Sequence, residues 1–181
     1  PHVMELSINF TWVPGMAKSQ KQKCIRSLHA AAATRVRRGL EVSSKSEDDL
    51  GTSLSAFQIV LQLPDGSSTS VEAAFQGSKT FVGGGPHPDI YGASARDAKK
   101  DPRLQGSGYL TEFNFSGDSW PLTPKTAFYD WLYLQGLQAS DVKLDALLQH
   151  DGFTDIEFNP GKSINCQARS VALYVALTRS G

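Results

Sequence analysis

Apolar and polar residues alternate in several short stretches of the chain, and this alternation predicts half-buried strands. The stretches are residues 4–12, 57–63 and 153–158, and each repeats with the two-residue period of a strand. A further strand is predicted at residues 109–115. Turn residues such as those of the Pro64-Asp65-Gly66 sequence follow the strands closely, which favours short antiparallel pairings.

Elsewhere the apolar residues recur with helical spacing. The predicted helices are residues 19–36, 71–82, 94–104, 126–138, 144–150 and 163–178. We therefore expect an α+β fold, mainly helical, with short antiparallel β elements. A chain of 181 residues suits a single domain over residues 1–181, since domains most often contain about 100–150 residues.

The amino-acid composition mainly excludes classes of function and kinds of site. The chain has 18 basic and 18 acidic residues, and a zero net charge argues against a general nucleic-acid coat. No apolar run reaches the roughly 18–20 residues of a membrane span. Cys24 and Cys166 are far apart and fit no metal or redox spacing, which suits a reducing cytoplasm. We expect a cytoplasmic protein that contacts no membrane and needs no metal or other cofactor.

The zero net charge hides an uneven distribution along the chain. Residues 1–40 carry seven basic residues and one acid, whereas residues 41–80 carry two basic residues and six acids. The basic stretch is either a solvated helix face or a local surface for phosphate groups, because a few well-placed Lys or Arg side chains suffice for phosphate contacts. Charge alone leaves both alternatives open.

Candidate chemistry centres on Glu72. Thr69 and Glu72 have the spacing of a capping box, which is a purely structural explanation of the carboxylate. Alternatively, a helix that begins near Ser70 places Glu72, Gln76 and Lys79 on one polar stripe. A carboxylate, an amide and an amine on one stripe are able to line a site, so the spacing supports both explanations.

Other polar groups have no recognisable catalytic spacing. The glycines at 83–85 follow a predicted helix and do not form a dinucleotide-binding fingerprint. Residues 43–46 are typical of a polar loop with one lysine. Asp155 and Glu157 lie two apart on a predicted strand, so we expect them to face the same side. The aromatic residues at 128–131 offer stacking surfaces, although their helical spacing is more typical of a core.

Five strings of the sequence resemble the NADAR family, most closely its branch associated with DarT toxins. They are SSKS at 43–46, LSAF at 54–57, VEAAFQGSK at 71–79, FYDWLY at 128–133 and FTDIEFNPGKSINCQA at 153–168. The resemblance covers nearly the whole chain, and the last string is the most specific. The spacing Glu-x-x-Phe-Gln-x-x-Lys is also similar to that of YbiA-like members, which act on N-glycosidic intermediates of riboflavin synthesis.

The resemblance implies an N-glycosidic bond hydrolase that acts as an antitoxin. Its substrate would be DNA in which a DarT-type toxin has attached ADP-ribose to guanine, and its product would be free ADP-ribose. Two alternatives are a non-catalytic antitoxin that binds the toxin directly and a YbiA-like N-glycosidase of small ribosylamine metabolites. The cognate toxin is a functional partner in the first two cases, and the sequence leaves direct contact with it undetermined.

Residue roles follow from this implied chemistry. Glu72 is the candidate general acid/base. Lys45 is favoured over Lys79 as an amine that captures the ribose carbon C1″ as a Schiff base, while Lys79 holds a phosphate or orients Glu72. The candidates for binding ADP-ribose are Ser44, Gln76, Gly83, Gly84, Gly85, Tyr129, Trp131, Asp155, Glu157 and Asn165. Among them, Ser44 and the glycine amides suit the pyrophosphate, the aromatic rings suit adenine, and the last three suit ribose hydroxyls.

Overall fold

Short strands and helices alternate along the chain in the computed structural model, which describes residues 2–180 apart from the side chain of Leu144. The helices are α1 (Lys18–Ala32), α2 (Asp49–Ser53), α3 (Val71–Gly77), α4 (Ala95–Lys100), α5 (Arg103–Gly106), α6 (Ala127–Ala139), α7 (Leu144–Leu148) and α8 (Gln167–Ser180). The strands are β1 (Gly39–Glu41), β2 (Val60–Gln62), β3 (Ser68–Ser70), β4 (Lys79–Phe81), β5 (Leu110–Phe115), β6 (Asp118–Trp120) and β7 (Gly152–Thr154). This confirms the predicted α+β class.

The chain divides into two compact units. The first contains residues 2–55 and 141–180, and the second contains residues 56–140. A single domain over residues 1–181 stays a prediction. The predicted strand at 57–63 is β2, the strand at 109–115 is β5, and the helix at 126–138 is α6, each shifted or shortened by a few residues.

The first unit is built on a parallel pair of strands. Strands β1 and β7 pair in the register Leu40 to Phe153 and Glu41 to Thr154. The two other sheets in the described residues are antiparallel, as predicted. This pair differs because the two strands are distant in sequence, and only strands joined by a short hairpin are constrained to run antiparallel.

Residues 4–12 do not form the predicted strand. The segment lies along α1 instead: the Thr11 amide donates to Ser27 Oγ at 3.0 Å and the Val13 amide donates to Cys24 Sγ at 3.1 Å. Phe10 and Val13 pack against a small core that includes Cys24. The alternation predicts that a neighbouring strand supplies hydrogen-bond acceptors and apolar contacts to this segment. The surface of α1 supplies both instead.

The second unit places α3 between two antiparallel sheets. Strand β2 pairs with β3 across a turn in which Gly66 has φ of +84°. Strands β4, β5 and β6 form the other sheet, and the β5–β6 hairpin turns through Ser116 and Gly117, both at positive φ, as tight hairpins favour. Helix α6 packs against β2 and α3 at Gly136, whose missing side chain makes room for Ile59.

Helix α3 ends at Gly77, five residues earlier than predicted. A Cβ atom at Gly77 would lie 2.6 Å from the Tyr91 ring, so the chain can pass this point only without a side chain. Residues 79–81 then pair with β5 as strand β4. Their β-branched and aromatic content favours a strand, and this tertiary pairing prevails over the helical periodicity.

The predicted helix at 94–104 is interrupted at Pro102, which separates α4 from α5, because proline lacks the amide hydrogen that a continuing helix would use. The predicted strand at 153–158 ends at Thr154. The predicted helix at 19–36 ends at Ala32, and that at 163–178 begins at Gln167. The turn before α8 keeps the residues between Asp155 and Cys166 irregular.

Candidate active site

Glu72 forms a hydrogen-bonded chain with the other two members of the predicted polar stripe. Gln76 Nε2 donates to Glu72 Oε1 at 2.9 Å, and Lys79 Nζ donates to Gln76 Oε1 at 2.6 Å. Lys79 lies on β4 and not on the helix, yet the short turn after α3 still places its ammonium beside Gln76. The structure therefore brings the carboxylate, the amide and the amine together.

The capping-box explanation of Glu72 does not apply. The residue that caps α3 is Ser70, whose hydroxyl oxygen accepts the Ala73 amide hydrogen at 3.1 Å. Glu72 is the second residue of the helix and does not reach back to the cap. The residue is nevertheless buried, with 6% of its surface exposed. A buried carboxylate that does not cap its helix requires another reason to be there.

Two lysines set the electrostatics around Glu72. Burial is the main cause that lowers the pKa of Lys79, the negative charge of Glu72 raises this pKa, and the positive charge of Lys99 lowers it further. Lys99 lies on α4 with its Nζ 3.8 Å from Glu72 Oε1, and 61% of its side chain is exposed. The Glu72 carboxylate is thus linked through Gln76 to the desolvated amine of Lys79. It also lies directly beside the solvent-exposed ammonium of Lys99.

The aromatic candidates have different surroundings. Tyr129 is buried and meets Phe75 edge-on, with ring centroids 5.2 Å apart. The Lys79 ammonium lies 4.9 Å from the centroid of the same Phe75 ring. Tyr129 therefore packs against the ring that Lys79 contacts. Trp131 is half-buried and packs against Trp120 at 4.9 Å. Both rings are part of an aromatic core, as their helical spacing suggested, and adenine stacking on either stays a prediction.

The glycine segment makes a tight turn whose amides are largely used within the protein. The Gly83 amide donates to the carbonyl oxygen of Ser107 at 2.9 Å, and the Gly84 amide donates to that of Phe81 at 3.2 Å. A side chain at Gly85 would collide with the Lys79 backbone. The glycines therefore serve a close approach of two backbone segments. Because two of the three amides already have acceptors, the predicted pyrophosphate contact cannot use them without breaking this turn.

In the first unit, Ser44 and Lys45 are the middle residues of a turn. The Ser46 amide donates to the Ser43 carbonyl oxygen at 3.0 Å, and the Lys45 amide donates to Ser43 Oγ at 3.2 Å. Both middle side chains are half-buried. This confirms the predicted loop and places its lysine in a defined position.

A buried carboxylate that sequence reasoning missed holds this turn. Glu41 is 2% exposed. It accepts hydrogen bonds from Ser43 Oγ at 2.6 Å, Thr154 Oγ1 at 2.6 Å and the Ile156 amide at 2.8 Å. Three donors offset the desolvation of the carboxylate. One signal in the sequence was available: an acid within an apolar run that became strand β1.

The Glu41 network extends to His29. Its Nε2 lies 2.9 Å from Thr154 Oγ1. Because the Thr154 hydroxyl gives its only hydrogen to Glu41, His29 Nε2 must be the donor in this contact. Burial lowers the pKa of His29, and the nearby carboxylates of Glu41 and Glu47 oppose this effect. The imidazole thus fixes Thr154 as a donor toward Glu41.

Asp155 and Glu157 do not face the same side, because the strand ends before them. Asp155 is mostly buried, whereas Glu157 is exposed and lies 3.8 Å from Lys21 Nζ. Asp155 Oδ1 accepts the Glu157 amide hydrogen at 3.0 Å in a turn. Burial, with the charge of Glu41 adding to it, raises the pKa of Asp155 to about 7.

Asn165 has an acceptor atom to spare. Its Oδ1 is buried and forms no hydrogen bond with any of residues 2–180, which is rare for a buried polar atom. The neighbouring Cys166 thiol is also largely buried, and burial raises its pKa to about 11. Asn165 Oδ1 is therefore available to a hydroxyl donor, as the predicted ribose contact requires.

Six of the predicted site residues fall into two groups. Glu72, Gln76 and Lys79 form one hydrogen-bonded group in the second unit. Lys99 lies beside this group, and no sequence pattern predicted it there. Ser44, Lys45 and Asp155 lie in the first unit around Glu41. Within residues 2–180, no three His, Cys, Asp or Glu side chains are placed to hold a metal ion together, and none of the helices described has the length and apolarity needed to cross a membrane.

Comparison with known proteins identifies the family of the chain. The model of the family described as the DarT1-associated NADAR antitoxin matches residues 1–181, so the match extends over both units. No curated protein matches the chain. The match covers every string on which the resemblance in the sequence rested.

Proposed function

Because the chain belongs to the family of DarT1-associated NADAR antitoxins, we propose that it is a glycohydrolase that removes ADP-ribose from guanine bases in DNA. The observation that supports this proposal most directly is the buried carboxylate of Glu72. It has no capping role and lies in one chain with Gln76 and Lys79. A carboxylate positioned at the sugar carbon accelerates cleavage of a glycosidic bond by general acid/base catalysis.

In the proposed mechanism, Glu72 acts first as a base and then as an acid. Its carboxylate takes a proton from a water molecule whose oxygen bonds to ribose C1″. The bond between C1″ and the guanine nitrogen breaks, and the carboxyl returns its proton to that nitrogen. Unmodified guanine and free ADP-ribose leave, and Glu72 is ionised again. The amide of Gln76 orients the carboxylate throughout.

A covalent route through a lysine is a variant of the same proposal. In this route the bond between C1″ and the ribose ring oxygen breaks first, and the ring oxygen takes the proton of the guanine amino nitrogen. A neutral lysine amine then adds to C1″, its two protons pass to the guanine nitrogen, and this nitrogen leaves as the amino group of guanine, so that a Schiff base remains. Water hydrolyses the Schiff base to ADP-ribose and the free lysine amine. The sequence favours Lys45 for this step, whereas the lowered pKa of Lys79 supports Lys79, since only a neutral amine is nucleophilic. Borohydride trapping of a protein–ADP-ribose adduct separates them. Loss of the adduct in Lys45→Ala alone assigns Lys45, loss in Lys79→Ala alone assigns Lys79, and an adduct that persists in both variants contradicts both assignments.

The direct test uses a single-stranded oligonucleotide that carries ADP-ribose on guanine and measures release of free ADP-ribose. We expect the wild-type chain to release it and Glu72→Gln to be slower by about 10²–10⁴-fold, the usual contribution of a general acid/base. Asp118→Asn, which removes an exposed carboxylate of the same unit, is the matched control and should retain the wild-type rate. No release by the wild type would overturn the proposal.

The same variant tests the antitoxin role in cells that express the toxin. A catalytic antitoxin predicts that Glu72→Gln no longer protects these cells, although the variant is still produced. Full protection by Glu72→Gln would instead indicate an antitoxin that neutralises its toxin by binding. Turnover of free ribosylamine metabolites together with indifference to DNA would indicate a YbiA-like enzyme.

A further inference from the structure

The basic residues of the second unit are concentrated on one short segment. Residues 56–140 contain six basic side chains against eight acidic ones, so this unit is acidic as a whole. Four of the six basic side chains nevertheless lie within residues 96–103, and they are Arg96, Lys99, Lys100 and Arg103. The positive charge of this segment is therefore a feature of the segment and not of the unit as a whole.

Three of these residues form a stripe on α4, which we call the basic stripe: Arg96, Lys99 and Lys100. Their spacing of three and four residues places them on one side of the helix, and all three are exposed. The opposite side is anchored, because Ala98 is buried in a small core with Ala73. The stripe is thus presented to solvent by a fixed element.

The acids near the basic stripe are engaged elsewhere. Arg103 Nη2 binds Asp89 at 2.7 Å and Asp101 at 2.8 Å, and Ser94 Oγ donates to Asp97 at 2.6 Å. Within residues 2–180, neither Arg96 nor Lys100 forms an ion pair. The charges of Arg96 and Lys100 are therefore available to a ligand.

The stripe begins at the proposed catalytic carboxylate. Lys99 Nζ lies 3.8 Å from Glu72 Oε1, and Arg96 and Lys100 continue the positive charge along the helix from this point. In the basic stretch at residues 1–40, two of the seven cations are already paired with acids. There Arg26 is paired with Glu47, and Lys21 is paired with Glu157 and lies 4.5 Å from the Trp12 ring centroid.

We propose that the basic stripe binds the phosphodiester backbone of the DNA strand that carries the modified guanine. The inference rests on the proposed function and adds the surface that holds the DNA next to Glu72. The complementary charge of the phosphates and the contact between Lys99 and Glu72 support this occupant. Lys and Arg contacts to phosphates fix the register of a nucleic acid without reading its sequence, so the stripe would position the base for cleavage in any sequence context.

The test measures binding of a labelled, unmodified single-stranded oligodeoxynucleotide by fluorescence anisotropy over a range of salt concentrations. The double variant Arg96→Gln/Lys100→Gln spares Lys99 and leaves the catalytic group intact. Each lost phosphate contact lowers the slope of log affinity against log salt by about 0.7 for single strands, so we expect the magnitude of the slope to fall by about 1.4 and the affinity to fall with it.

The matched control is Lys23→Gln/Arg35→Gln, which removes two exposed cations from the basic stretch at residues 1–40. We expect the control to keep the slope of the wild type. An unchanged slope in Arg96→Gln/Lys100→Gln would overturn the proposal, and so would an equal loss in both double variants, because the binding would then follow total charge and not the stripe.

Turnover separates failure of this inference from failure of the proposed function. With the ADP-ribosylated oligonucleotide we expect Arg96→Gln/Lys100→Gln to raise KM and leave kcat unchanged, whereas Glu72→Gln lowers kcat. Absence of any release by the wild type would overturn the proposed function while the anisotropy result still decides the stripe. An unchanged KM and salt slope in the double variant, with Glu72→Gln still inactive, would overturn the stripe alone.

Discussion

Replacing Asp155 by asparagine should change the pH dependence of stability more than any other single carboxyl replacement in the first unit. Asp155 has a pKa of about 7 in the folded chain, against an ordinary value of 3.8, because burial and the charge of Glu41 disfavour its ionised form. The folded chain therefore binds the proton more strongly than the unfolded chain. Stability must then fall as the pH rises from about 4 to about 7 and level off above that range.

The magnitude follows from the difference between the two pKa values. The shift of about 3 units corresponds to about 4 kcal/mol of destabilisation at pH 8, at 1.36 kcal/mol per unit. Asparagine has nearly the same shape, can still accept the Glu157 amide hydrogen and carries no charge. We therefore expect Asp155→Asn to be more stable than the wild type at pH 8, and the advantage to shrink by about 3 kcal/mol on going to pH 4.5.

The assay is urea unfolding followed by tryptophan fluorescence for both proteins at a series of pH values. Taking the difference between them at each pH cancels the titration of the groups that do not interact with Asp155. Glu157→Gln is the matched control, because it removes an exposed carboxyl two residues away and should alter stability by less than about 1 kcal/mol at any pH. A constant difference between Asp155→Asn and the wild type across the series would refute the reasoning.

Three further replacements test the packing and hydrogen bonds around the two groups of site residues, each by urea unfolding. Ser70→Ala removes the cap of α3 and should cost about 1 kcal/mol; no loss would mean that the cap contributes nothing to this helix. Gly136→Ala forces a methyl group against Ile59 and should cost about 1–3 kcal/mol, whereas Gly92→Ala, which adds a methyl group in open space, is the control and should cost little. Glu41→Gln leaves at least one of three donors without an acceptor and should cost about 1–3 kcal/mol; a variant as stable as the wild type would contradict the buried network.

Much of the local structure could be predicted from short-range patterns. The period of the apolar residues identified α1, α6 and α8, and turn residues located the hairpin between β2 and β3. The spacing of Glu72, Gln76 and Lys79 predicted that their side chains meet, which the hydrogen bonds confirm. These features depend on residues within about two helical turns of one another, so the information is contained in a short window of sequence.

The choice between competing local explanations needed the tertiary structure. Glu72 had the spacing of a capping box, and only the position of the helix start shows that Ser70 is the cap and that the carboxylate is buried without that role. Alternation at residues 4–12 predicted a strand, and packing along α1 decided otherwise. In both cases one sequence pattern is compatible with two structures. The residues that pack against the segment in the folded chain determine which of the two forms.

The sequence by itself thus determined the α+β class, the polar stripe at Glu72 and the membership of the chain in its family. Tertiary structure alone decided which charges are desolvated. Glu41 is a buried acceptor because residues more than a hundred positions away bring donors to it, and Lys99 reaches Glu72 because α4 packs on α3. Desolvation and charge pairing depend on distance in space, whereas periodicity depends on distance along the chain, and that physical difference separates what the sequence determined from what it left open.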